Sequence, residues 1–158
     1  MRTLFILSLC FFPLSGSARL TEIWTYEKLF AQADLVAIAS PQPSKDTKEE
    51  GKLPNGPLWD VVGVETVFDI NLVLKGDKNL KKCVLHHYRL KNPNEPIYNG
   101  PSLVFFGRKK WQSYLLFLTR ESDARYAPVS GQIDPAMFSI LRIDATILPA
   151  SSVPGDHK

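Results

Sequence analysis

The residues that could do chemistry are few. His86 and His87 are adjacent, His157 lies near the C-terminus, and Ser130 precedes Gly131. Neighbouring residues on a strand point to opposite faces, so His86 and His87 do not converge on one metal ion. A zinc site needs three or four converging ligands, and no metal or other cofactor is expected. Ser130 with a histidine and Asp69 or Asp134 can be written as a hydrolase triad. Such a triad is recognised by geometry, and the Gly-x-Ser-x-Gly context of a nucleophile elbow is missing. A turn hydroxyl bonded to local backbone is the expectation for Ser130. Glu65 and Asp69 share one strand face about 13 Å apart, too far for a glycosidase pair. They are expected to be solvated, and no catalytic residue is assigned.

The cysteines are Cys10 and Cys83. Residues 1–18 have the form of a cleavable signal peptide. Arg2 supplies the positive charge, Leu4 to Phe12 the apolar stretch, and Gly16-Ser17-Ala18 the small residues before a cut at Ala18-Arg19. The stretch is shorter than the roughly 20 apolar residues of a membrane span. A lipoprotein anchor at Cys10 wants a small preceding residue, and Leu9 is not one. The expectation is an exported protein, periplasmic or secreted, with no transmembrane span in the mature chain. Cys83 is then alone. It is expected to be a buried thiol, with an intermolecular disulfide as the alternative.

Composition fits one soluble domain: 158 residues, 44% apolar and 22% charged. A core of that size does not require disulfide staples. The formal charge is +3, and loss of Arg2 with the leader brings it to +2. Nucleic-acid binders carry a stronger basic excess on one face, and none is expected as a partner. The basic clusters at 75–82 and 108–110 fall where turns between strands are expected.

The elements that must position these residues are mostly strands. Thr25 suits the N-cap of a short helix over 26–33, with Tyr26, Leu29 and Phe30 as its apolar face. Leu35 to Ala39 is a buried strand. Residues 41–58 are polar and rich in proline and glycine, and predict a long loop. From Val62 to Leu74 every second residue is apolar or Thr66, the period of a strand with one buried face. Its length and Gly63 suggest bending around a small barrel. Further strands are expected over 82–90, 103–106 and 114–118. The segment after Asp134 either starts a short C-terminal helix or lies extended. Residues 19–145 form the predicted domain, and 146–158 a flexible tail.

Three stretches resemble bacterial exported proteins with a tissue-inhibitor-of-metalloproteinase-like, or netrin-like, OB-fold. They are Ala33 to Ala39, the long strand Thr66 to Leu74 with its Lys75-Gly76 ending, and Tyr114 to Leu118 with Arg125 to Gly131 after it. The resemblance spans about residues 25–142. It implies a five-stranded OB-fold-like barrel with one N-terminal helix. Metalloproteinase inhibition in that group uses a cysteine at the mature N-terminus. This chain would start at Arg19, so inhibition is not implied.

The functional expectation is a non-enzymatic module that binds a protein or glycan. Trp59, Tyr98 and Trp111, on or beside the loops 41–59 and 91–101, are the candidate anchors, because aromatic side chains commonly dominate interfaces. The alternatives are a secreted hydrolase using Ser130 with a histidine, and a structural or assembly factor of the envelope.

Overall fold

The computed structural model describes residues 24–53, 59–94, 103–106, 112–131 and 138–143. They form one helix, α1 (Tyr26–Gln32), and seven strands: β1 (Leu35–Pro41), β2 (Lys45–Lys52), β3 (Asp60–Lys75), β4 (Lys82–Leu90), β5 (Ser113–Arg120), β6 (Tyr126–Pro128) and β7 (Ile140–Ile143). The hydrogen-bonded circuit β1-β3-β4-β6-β5 closes back on β1, giving a five-stranded OB-fold-like barrel. Only the β4–β6 contact is parallel. Closure leaves no open edge in the ring. β2 and β7 lie off the ring, paired to β3 and β5 respectively.

β3 has 16 residues because it serves two partners along one edge. Its first half pairs with β2 and its second half with β1, while β4 lines the other edge. Val62, Val64, Thr66 and Phe68 are buried, as period 2 predicts. The expected single face does not run on to Leu74. The β1–β3 register skips Asn71 and Leu74, so β3 bulges at both. Each extra residue turns the following side chains over. Val73 is therefore buried, while Leu72 and Leu74 are 53% and 43% exposed. Lys78 Nζ closes this stretch by donating to the carbonyls of Val73 and Leu74 at 2.8 and 3.0 Å. Gly76 turns the chain with φ +105°, and a Cβ there would sit 3.0 Å from the Asp34 carbonyl.

The barrel is filled by Leu35, Ala37, Phe68, Cys83, Leu85, Leu116 and Leu118. Phe106 stands edge-on to Phe68 and Tyr114, at 5.1 and 5.2 Å between centroids. A second cluster joins Leu29 of α1 and Ala33, which caps its C-terminal end, to Val36 and Phe117 on the outer face of the sheet. Thr25 caps α1, its Oγ1 accepting from the Lys28 amide at 3.3 Å. Of the expected helix face, Leu29 alone is buried; Tyr26 and Phe30 are 62% and 44% exposed. Asp34 ends the helix and pins β5, its Oδ2 accepting from Arg120 N at 2.8 Å and Thr119 Oγ1 at 3.0 Å.

Two other expectations need correction, and one open alternative is decided. The loop expected over 41–58 contains β2, whose sequence KDTKEEGK is solvated on both faces and so lacks an apolar period. Residues 103–106 hold one bridging residue, Leu103, instead of a strand. At the C-terminal end of the described chain, Ile140–Ile143 is extended and pairs with β5, so the extended alternative holds there. The tail 146–158 lies outside the described residues.

Candidate functional site

The bulge in β2 builds the most densely charged place on the described chain. Its register against β3 jumps from Asp46↔Val64 to Glu50↔Val62. Thr47 to Glu49 arch over β3 at Gly63, where a Cβ would lie 2.5 Å from Thr47 Oγ1. The arch brings Glu49 to the side of β4 that carries His86 and Tyr88. Tyr88 Oη donates a short hydrogen bond to Glu49 Oε1. Burial, then that hydrogen bond, pushes the Tyr88 phenol up to about 12.

The His86 side chain is 5% exposed and lies between two carboxylates. Nδ1 is 3.2 and 3.0 Å from the two oxygens of Glu121, which follows β5. Nε2 is 3.2 Å from Glu49 Oε2, at an angle too poor for a hydrogen bond. Arg125 borders the cluster. It lies 2.7 Å from Asp123 Oδ2, 3.2 Å from Glu65 Oε1, and 3.8 Å from both Glu49 Oε2 and Glu121 Oε2. Glu65, expected to be solvated, is thus an ion-pair partner and faces His86 across the β3–β4 ladder. Among the described residues no group of three or more His, Cys, Asp or Glu is placed to hold a metal ion.

His87 points the opposite way, as alternation requires. It stands 4% exposed against Phe106, with ring centroids 5.4 Å apart. Its Nε2 meets Thr66 Oγ1 at 2.8 Å, and Thr66 meets Ser44 Oγ at 2.6 Å. Burial, then the neighbouring His86 charge, pushes His87 down to about 4. A neutral His87 can accept the Thr66 proton, which satisfies a hydroxyl with no access to water.

Ser130 is not brought to His86 or His87. Its Oγ and N both bond Ser139 Oγ, at 2.7 and 2.9 Å. The hydroxyl is therefore a local structural bond, while His86 and His87 face the partners given above. Cys83 is a free, buried thiol, pushed up to about 12 by burial. Asp69 bonds Gln42 Nε2 at 2.9 Å and Lys82 Nζ at 3.3 Å.

Of the expected aromatic anchors, Trp59 is 5% exposed and packs with Leu53 and Val61. Its indole fastens the end of β2 to the start of β3. Tyr98 and Trp111 lie outside the described residues. Exposed aromatic side chains lie elsewhere, Phe105 by itself at 75% and the pair Tyr26 and Phe30 on α1. Tyr26, Glu27, Phe30, Ala31, Leu115 and Phe117 line a groove of about 580 Å³. Tyr26 stacks on Phe117 at 6.2 Å along it. Period analysis placed Tyr26 and Phe30 on the buried face of the helix. The shortness of α1, seven residues, was the signal that it buries only one turn's worth of side chain.

No helix among the described residues is long and apolar enough to cross a membrane. No family profile, no curated protein and no solved structure matches the chain.

Proposed function

We propose that the protein is an exported interaction module whose groove between α1 and β5 takes an apolar side chain of a protein partner. The observation that carries this reading is the pair of large hydrophobic side chains, Tyr26 and Phe30, left 62% and 44% exposed on the rim of a preformed groove. Exposed apolar surface beside a concavity is typical of interaction sites. Glu27 is the single charged side chain in the lining. A glycan needs several hydrogen-bonding groups beside an aromatic platform, so the lining favours a protein ligand over a sugar. The barrel circuit and the helix packed on its outside support kinship with the netrin-like OB-folds. Export rests on the leader-like residues 1–18, and the absence of any cysteine pair beyond them accords with a core that folds without staples.

The test is affinity capture with the chain from Arg19 onward, from the envelope and culture fluid of its host. A Tyr26→Ser/Phe30→Ser variant with unchanged circular dichroism runs in parallel. A partner held by the wild type and lost by the variant supports the reading. A partner held equally by both removes the groove from it. Absence of any partner from both fractions counts against a binding module.

A further inference from the structure

Leu72 and Leu74 would face the core if β3 kept its period, and the bulges at Asn71 and Leu74 turn them outward instead. Single exposed leucines are ordinary, but these two have company. Of the five large hydrophobic side chains left exposed among the described residues, Tyr26, Phe30, Leu72 and Leu74 lie on α1 or on the strand end tied to it. Lys75 is the tie. Its Nζ donates to the carbonyls of Phe30 and Ala31 at 2.7 and 3.0 Å and lies 5.4 Å from the centre of the Phe30 ring. Half-buried Ile38 stands opposite Leu72 on β3 and Leu115 on β5, so these three share the outer face of the barrel.

The charges beside the leucines are mostly of one sign. Residues 75–82 hold four lysines and one aspartate. Lys82 pairs with Asp69 at 3.3 Å, and Lys81 is exposed. Lys75 and Lys78 bracket Leu74, and backbone carbonyls hold both: those of Phe30 and Ala31 for Lys75, those of Val73 and Leu74 for Lys78. A carbonyl fixes an ammonium in place without cancelling its charge. An ammonium has three N–H groups, and these bonds use two of them. Asp34, near Lys75, turns its carboxylate to the end of β5. Asp77 spends one oxygen on the Asn79 amide at 2.9 Å.

We propose that the end of β3 and the turn after it form a membrane-contact surface, on which Leu72 and Leu74 enter the interfacial layer of a bilayer while Lys75, Lys78 and Lys81 meet anionic lipid headgroups. Interfacial binding grows with the apolar area buried and with the attraction of basic side chains to anionic lipids. Both components stand side by side here, with charges fixed in position around the leucine that enters. The charge complementarity is what selects an anionic bilayer as the occupant. The chain as a whole carries only +3, so the attraction is local and is screened by salt. This surface goes beyond the groove between α1 and β5, which takes a side chain of a protein and uses no lipid.

The test is sedimentation of the chain from Arg19 onward with protein-free vesicles, so that neither the leader nor a protein partner contributes. One set is phosphatidylglycerol mixed equally with phosphatidylcholine, the other phosphatidylcholine alone. The expected result is binding to the mixed vesicles that weakens as salt is raised, with little binding to phosphatidylcholine. Leu72→Ser/Leu74→Ser should bind the mixed vesicles at least about tenfold more weakly, from the apolar area no longer buried. Lys78→Gln and Lys81→Gln should each lose about fivefold. Lys81→Gln keeps the test independent of the carbonyl bonds of Lys78, and unchanged circular dichroism confirms that each variant is folded. A wild type that ignores the mixed vesicles overturns the proposal, and so does equal binding to both vesicle types. Binding that the leucine substitutions leave intact, or that Lys81→Gln leaves intact, overturns it too, since another surface would then be making the contact. Capture of a protein partner by the groove is read without lipid, so either reading can fail while the other stands.

Discussion

Gly63 and Glu49 touch where two strands cross: a Cβ on Gly63 would lie 3.0 Å from Glu49 Cβ. The missing side chain is what lets the β2 arch lie flat on β3 and carry its carboxylate to His86 and Tyr88. Gly63→Ala should therefore lift Thr47 to Glu49 off the sheet, because the atoms it meets include a Cβ that cannot swing aside. Overpacking of this kind costs about 1–3 kcal/mol. Denaturant unfolding of the variant reads the loss, and a midpoint equal to the wild type's would show that the arch has room to spare.

His87 makes stability depend on pH. Its folded value is about 4, against 6.5 for an ordinary histidine. Between those values the unfolded chain binds the proton and the folded chain does not, so stability rises with pH across that window. It is fully present above 6.5 and falls as pH drops toward 4, by about 3 kcal/mol in all at 1.36 kcal/mol per unit. His87→Gln, which cannot titrate, should flatten that part of the pH profile in equilibrium unfolding. An unchanged slope in the variant would assign the dependence to other groups.

The two histidines also show how far the sequence reaches. Alternation along 82–90 sets His86 and His87 on opposite faces, and they are so placed. The long strand of the barrel was legible from the period of Val62 to Phe68, since those side chains are all buried. The bulges at Asn71 and Leu74 were not, because apolar residues continue through them and only the pairing with β1 reveals the skipped positions. β2 was invisible for a different reason. A strand wetted on both faces has no apolar period, and its charges resemble those of a loop. The cluster around His86 joins residues 35 and 39 positions apart, Glu121 to His86 and Glu49 to Tyr88. Such convergence follows from topology, which no local pattern carries. The burial of Trp59 was not legible either, because a tryptophan at a strand start serves equally well as an anchor or as a staple.

Cys83 should be chemically silent in the folded protein. The thiolate is the reactive form, and burial pushes this thiol up to about 12. With the chain from Arg19 onward, a disulfide-exchange reagent should find no thiol under native conditions and one after denaturation. A non-reducing gel should show monomer. Rapid native labelling, or a dimer that collapses with reductant, would place the thiol at the surface.

Thr66 is fully buried and is the link between Ser44 and His87. Thr66→Val keeps the shape and removes the hydroxyl, so His87 Nε2 loses its partner in a site closed to water. Leaving such a group unpaired costs about 1–3 kcal/mol. Thr66→Ser keeps the hydroxyl and gives up one methyl, about 1 kcal/mol of transfer and packing. If the hydroxyl matters more than the methyl, the valine variant is the less stable of the two in denaturant unfolding. The reverse order would mean that Thr66 is held for packing against Phe68 and its neighbours, with the hydrogen-bonded chain contributing little.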